Sequence, residues 1–159
     1  ILSGLVGSEM CIRDSACTFL GVVSTDSHSA IVQLGDGGVV VDFGRGLELP
    51  ITPMNGEYAN TTFFVTDDDS VERTEACQFE TRVIKAAVFT DGIQRLCINM
   101  AKNLPHEPFF RDLFAVLGAS SSDDQDRLMD QLIAFLSGAA VNERTDDDRT
   151  LLLAAEVSG

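Results

Sequence analysis

The sequence predicts an α+β fold in which helices cover an antiparallel sheet. Two observations predict it. From Ala16 to Phe89, short apolar and β-branched runs alternate with turns rich in Gly, Asp and Pro, the pattern of an antiparallel meander. After Gly92 the apolar period changes to i, i+3, i+4, i+7, which is helical, until one last apolar run at Thr150–Ala155. The 159 residues, 45% hydrophobic and 23% charged, fit one globular domain large enough to bury a core. No internal repeat or change of composition marks a second domain.

Taken in order, Ala16–Ser24 (ACTFLGVVS) reads as a strand, bounded by the polar cluster Thr25–Ser29. Ala30–Leu34 is the next strand. Gly35-Asp36-Gly37-Gly38 reads as a tight hairpin turn into a third, Val39–Phe43. Leu47–Ile51 is a short edge strand, stopped by Pro50 and Pro53. Asn55–Thr62 is turn-rich. Thr62–Thr66 (TFFVT) reads as a strand, Asp67–Asp69 as a solvated loop, and Phe79–Ile84 as a partly alternating strand. Ala86–Phe89 is a fully apolar strand running straight into Thr90-Asp91-Gly92. Ile93, Leu96, Cys97 and Met100 lie on one helix face. Phe109, Phe110, Leu113, Phe114 and Leu117 lie on another, with Gly118 as its stop. Ser122–Gln125 has capping-box spacing before the helix of Leu128, Met129, Leu132, Ile133, Phe135 and Leu136, which Gly138 ends. Thr145–Arg149 is a charged turn and Thr150–Ala155 a buried last strand.

Asp and Glu number 25 against 11 Lys and Arg, a formal net charge of −14. That balance argues against nucleic acid or an anionic membrane surface as a partner. No apolar run reaches the ~18 residues of a transmembrane helix. Cys11, Cys17, Cys77 and Cys97 form no CxxC pair, so a zinc knuckle or dithiol site has no support. Cys17 and Cys97 read as small buried hydrophobes, and a reduced, cytoplasmic setting is the expectation. Oligomeric state is not readable. Ile1–Ser15 (ILSGLVGSEMCIRDS) has neither helical nor strand periodicity and lacks an initiator Met. It resembles the translated adapter scar found at broken ends of draft gene models, so it is set aside as foreign sequence or a tail.

Three carboxylates share a local setting. Asp36 lies in the glycine turn, Asp91 where a buried strand gives way to a helix, and Asp147 just before the last strand. Each stands at a strand end, where a rigid scaffold can present a side chain. If folding brings them together, their mutual repulsion calls for a cation, and oxygen ligands favour Mg²⁺, Mn²⁺ or Ca²⁺. Taken singly, each has an ordinary explanation. Asp36 reads as a turn residue, Asp91 as a helix N-cap, and Asp146–Asp148 as a solvated loop. Neither acidic run, Asp67–Asp69 or Asp123–Asp126, fits an EF-hand loop.

The ordered set is more specific than its parts. GDGG after a strand, FTDG between strand and helix, and DDDRT before TLLLAA together resemble the C-terminal two thirds of the metal-dependent type 2C protein phosphatases, particularly their compact bacterial branch. Gly56–Thr61 (GEYANT) adds to the likeness, which spans Ala16 to Val157. The resemblance implies an antiparallel β-sandwich flanked by helices, incomplete at its N-terminal side, with a centre of two or more Mg²⁺ or Mn²⁺ ions at one end. Asp91, followed by Gly92, matches the metal-ligand Asp of the family's S/T-D-G motif. Asp147 matches the ligand Asp of the closing acidic pair, with Asp148 in second place and Asp146 as the register alternative. The family spaces that Asp three residues before a Ser or Thr, which Thr150 satisfies. Asp36 matches the Asp associated with an additional, weaker metal site.

The implied reaction is hydrolysis of phosphoserine or phosphothreonine in a protein substrate, by direct attack of an activated water without a covalent intermediate. The chain departs from the family pattern in lacking the D-G-x-G segment, an acidic residue early in the first strands, and the early phosphate-holding Arg of some members. By itself it is therefore expected to be inactive, and poorly soluble through exposed strand edges. Three readings compete. One is a non-catalytic interaction module on the same fold. Another is an acidic Ca²⁺-binding domain. The third is a nucleophile hydrolase on Ser24, Asp26 and His28, whose crowding into one turn speaks against a triad. His106 reads as a surface or cap residue.

Overall fold

A computed structural model describes residues 16–53 and 62–156. Residues 1–15, the Gly56–Thr61 stretch and residues 157–159 lie outside them, as does most of the turn-rich segment around it. The strands are β1 (Phe19–Ser24), β2 (Ser29–Leu34), β3 (Gly38–Asp42), β4 (Leu47–Glu48), β5 (Glu75–Phe79), β6 (Lys85–Phe89), β7 (Ile98–Asn99), β8 (Leu104–Pro105) and β9 (Leu151–Ala155). They form two antiparallel sheets, ordered β1-β2-β5 and β4-β3-β6-β9, and a small β7-β8 ribbon. The helices are α1 (Ser70–Arg73), α2 (Gln94–Cys97), α3 (Glu107–Gly118), α4 (Gln125–Leu136) and α5 (Ala139–Asn142).

The alternation of β3 explains the layering. Val39 and Val41 point toward the first sheet and pack with Ile31, Ile51 and Ala86, while Leu20, Val22, Cys77 and Phe79 close that core from the first sheet. Val40 points the other way, into a second core with Ala87, Phe89, Ile93, Phe110, Phe114, Val141 and Leu151. Both faces of β3 are therefore covered, and all five of its residues are buried. Helix α3 supplies the lid of the second core. Phe110 is fully buried and meets Phe109 edge-on at 5.1 Å. Burying one such side chain is worth about 1.5–3 kcal/mol. The result is a β-sandwich with helices on the outer face of its second sheet, the α+β architecture expected.

Several elements differ from the sequence reading. Gly35–Gly38 is not a hairpin turn. Both sides of β2 are already paired, with β1 and β5, so β3 has no edge to join and the chain crosses to the second sheet. Gly35 takes φ +109°, a left-handed conformation, and a Cβ there would run into the Thr18 methyl group. Thr62–Thr66 is not a strand. The Phe64 N–H donates to the Asp67 carboxylate at 2.8 Å, and the Phe63 ring lies 3.9 Å under the Arg73 guanidinium. Local bonding of this kind competes with a ladder. The strand placed at Phe79–Ile84 lies instead at Glu75–Phe79, where the Cys77–Ile31 register turns Cys77 and Phe79 inward, and residues 80–84 are the connection to β6.

The helix from Ile93 stops at Cys97, where Ile98 becomes extended and pairs with Pro105, leaving Met100 exposed. The capping box lies one residue earlier than read. The Ser121 N–H and hydroxyl both donate to Asp124 at 3.0 Å. Cys97 is buried, but Cys17 is exposed. The last strand is an edge strand, with Leu151 buried and Leu152 57% exposed. Between β1 and the β6-β9 pair runs an apolar groove of about 550 Å³, lined by Leu20, Val22, Val88, Leu152 and Ala154. No helix among the described residues is long and apolar enough to cross a membrane.

Candidate metal centre

The strand–helix junction is built by β6. Its apolar run is anchored between β3 and β9 and delivers Thr90 and Asp91 at its end. A single 3₁₀ turn, Asp91–Ile93, begins there, and Thr90 rather than Asp91 is its N-cap residue. The Gly92 N–H donates to Asp91 Oδ1 at 2.9 Å. Asp147 repeats this arrangement, accepting the Asp148 N–H on Oδ1 at 2.8 Å. In both residues the second carboxylate oxygen has no hydrogen-bond donor among the described residues.

Asp36 reaches the same place from the corner between the sheets. With Thr18, Gly37, Thr62, Phe64, Thr90 and Asp91 it lines a cleft of about 210 Å³. Its Oδ2 accepts the Thr62 hydroxyl. Asp147 approaches from the loop before β9. A Cβ at Gly92 would overlap the Asp148 carbonyl oxygen and sit 3.4 Å from the Asp147 Cβ, so bare backbone at Gly92 lets this loop close on the Asp91 turn. The Thr90 hydroxyl fastens the approach, accepting the Thr150 N–H at 3.0 Å and donating to the Asp148 carbonyl at 3.4 Å. Arg149 holds the loop from the other side, donating to the carbonyls of Leu136 at 2.7 Å and Thr145 at 2.8 Å.

The electrostatics follow from this geometry. The Asp91 carboxyl is pushed above the usual carboxylate range, first by partial burial and then by the charges of Asp36 and Asp147. None of the ion pairs among the described residues involves any of the three. Uncompensated carboxylate charge and free carboxylate oxygens match a hard divalent cation. The match is partial. Among the described residues, no three His, Cys, Asp or Glu side chains are gathered closely enough to hold an ion by themselves. All three residues of the acidic triplet are exposed; the Asp147 charge bears on Asp91, and Asp148 sets its carbonyl against Gly92.

Four threonine and glutamine side chains around the cleft were not singled out by the sequence reading: Thr62, Thr90, Gln33 and Gln94. The available signal was weak, a Gln at an inward strand position and another three residues after Asp91. The Ser24, Asp26, His28 cluster forms no triad. It is the exposed turn joining β1 to β2, where Ser27 bonds His28 Nδ1 at 2.8 Å and Ser24 accepts the Val83 N–H at 2.9 Å. His106 is exposed at the N-cap position of α3, with Nδ1 bonded to the Leu96 carbonyl at 2.9 Å.

Comparison with known proteins agrees with this picture. The family described as Protein phosphatase 2C matches residues 6–137. Serine/threonine-protein phosphatase 3 of Escherichia coli (strain K12) is 56% identical over 146 residues, which are 92% of this chain and 58% of that protein. The chain thus spans a little over half of that relative's length. Among solved structures, a bacterial serine phosphatase bearing a point mutation aligns with TM-score 0.54 at 15% identity, over 94% of this chain and 64% of its own. The serine/threonine phosphatase Stp1 from Staphylococcus aureus aligns with TM-score 0.50 at 16% identity, over 94% and 62%. These two share the fold. With the family match covering most of its length, the chain belongs to the protein phosphatase 2C family.

Proposed function

We propose that this chain is part of a metal-dependent phosphatase domain that hydrolyses phosphoserine and phosphothreonine in proteins, using two or more Mg²⁺ or Mn²⁺ ions. The observation that carries this reading is that Asp36 and Asp91 line one cleft while the Asp147 loop closes on the Asp91 turn at Gly92, with none of the three ion-paired among the described residues. Asp91 and Asp147 would hold the principal ions through the oxygens their own turns leave free. Asp36 would serve an additional, weaker site. When bound, such ions supply an activated water and neutralise the phosphoryl oxygens. The chain's own part is positional. Gly92 admits the Asp147 loop, Thr90 fastens it, and Thr18, Thr62 and Phe64 wall a cleft sized for a phosphorylated side chain. A cytoplasmic role in phosphorylation signalling accompanies this reading.

Residues 16–159 are, on the same proposal, about two thirds of a single domain, and residues 1–15 are a foreign scar or a tail, although the family match already begins at residue 6. The open β1 and β9 edges and the groove between them are where further strands would join. The test has two steps. The source locus is sequenced across the codons for Ile1–Ser15, and the protein it encodes is assayed with Mn²⁺ and a phosphothreonine peptide. An upstream frame carrying D-G-x-G, with Mn²⁺-dependent phosphate release, supports the proposal. A locus that confirms the chain as written, with no turnover, replaces it by the non-catalytic interaction module.

A further inference from the structure

Two buried glutamines converge on the corner that carries Asp36. Gln33 lies on β2 at an inward position, two residues after Ile31, and is 1% exposed. Its Nε2 donates to the Gly37 carbonyl at 3.1 Å. Gln94 opens α2, three residues after Asp91, and is 9% exposed. Its Nε2 donates to the Asp36 carbonyl at 3.0 Å. Consecutive carbonyls of one corner thus accept from two carboxamides, one on β2 and one on α2. Gln94 in particular ties the Asp36 corner directly to the Asp91 turn.

Core packing alone does not account for Gln33. It is buried at an inward strand position, and its Oε1 is buried without a donor among the described residues. An unsatisfied carboxamide oxygen is costly in a core, and an apolar side chain of equal length would avoid the cost. What Gln33 alone supplies is the bond to the corner. We propose that Gln33 and Gln94 are positioning residues, which fix the corner so that the Asp36 carboxylate stays turned toward Asp91 and the two together bind the additional, weaker cation. This rests on the carboxylate-centre reading above. Groups that orient a ligand without touching the metal typically change its affinity about 10–100-fold when removed.

The test uses the 159-residue chain, its Gln33→Met and Gln94→Met variants, and Asp91→Asn as reference. Met keeps the length and removes the donor. Free Mn²⁺ is followed by its electron paramagnetic resonance signal, and unfolding temperature is measured alongside. The expected result is Mn²⁺ affinity at least about tenfold weaker in each Met variant, with Gln33→Met unfolding no earlier than the native chain. Native Mn²⁺ affinity in both Met variants, while Asp91→Asn loses binding, overturns the proposal and leaves the carboxylate centre standing. Loss of affinity that merely follows a lowered unfolding temperature overturns it too, since that is a packing effect. If Asp91→Asn binds Mn²⁺ as the native chain does, the centre itself falls. The clamp is then judged from the Gly37 amide resonance, because Gly37 N belongs to the peptide bond whose carbonyl Gln94 holds. A shifted resonance in Gln94→Met supports the clamp, and an unmoved one removes it.

Discussion

Replacing Gly92 by Ala probes the closest approach in the centre. The added Cβ would overlap the Asp148 carbonyl oxygen and lie 3.1 Å from its carbon. That oxygen sits 2.1 Å from the added Cβ, where real contacts stay beyond 3.0 Å, so the loop must retreat by about 1 Å. It is not free to do so. Thr90 holds it at Asp148 and Thr150, and Arg149 ties it to the end of α4. Overpacking of this kind costs about 1–3 kcal/mol. For a chain of this size that lowers the unfolding temperature by roughly 2–12 °C. Gly118→Ala is the control. Gly118 ends α3, and a Cβ there would meet nothing within 4 Å, so Ala gains about 0.5–1 kcal/mol. Thermal unfolding by circular dichroism compares the two with the native chain. A Gly92→Ala variant that unfolds at or above the native temperature refutes the claim that bare backbone is needed for the two turns to meet.

Three further outcomes follow from the same geometry. Asp91→Asn removes a charge that Asp36 and Asp147 oppose, so the cation-free variant unfolds later than the native chain, yet added Mn²⁺ no longer raises its unfolding temperature. Thr90→Val keeps the shape but drops both hydroxyl bonds to the Asp147 loop, costing about 1 kcal/mol in denaturant titration. The pH dependence has two opposite arms. In cation-free buffer the folded chain holds a proton at Asp91 more tightly than the unfolded chain, so stability rises as pH falls through that raised value. Asp124 is held down to about 2 by the Ser121 N–H and by Arg127 and the Ser121 hydroxyl. Its contribution is complete above the ordinary 3.8 and drains away as pH falls toward 2. Unfolding temperature against pH, with Asp124→Asn removing only the acid arm, separates the two.

Much of the fold was legible because its signals are local. The run Ala86–Phe89 is too apolar for anything but a buried strand, and the Phe109–Leu117 spacing admits only a helix. What escaped the sequence is tertiary. Gly35–Gly38 looks like a hairpin turn because nothing local says that β2 has two partners already, one of them far along the chain at Cys77. The apolar run within Thr62–Thr66 misleads in the same way, because Asp67 and Arg73 satisfy that segment without a ladder. The placement of the carboxylates at strand ends was readable. The groups that hold them were not. A Gln donating to a loop carbonyl leaves no periodic trace, and Thr90 is indistinguishable by sequence from any threonine that ends a strand.

At the centre of the proposed function, Asp91 and Asp147 hold divalent cations for phosphate-ester hydrolysis. The most direct test is phosphate release from a phosphothreonine peptide by the protein expressed from the full locus, with and without Mn²⁺, beside its Asp91→Asn and Asp147→Asn variants. The expected result is turnover that needs Mn²⁺ or Mg²⁺, is abolished by a chelator, and collapses in both variants while each remains folded. Turnover that survives the chelator, or persists in folded Asp91→Asn, contradicts it.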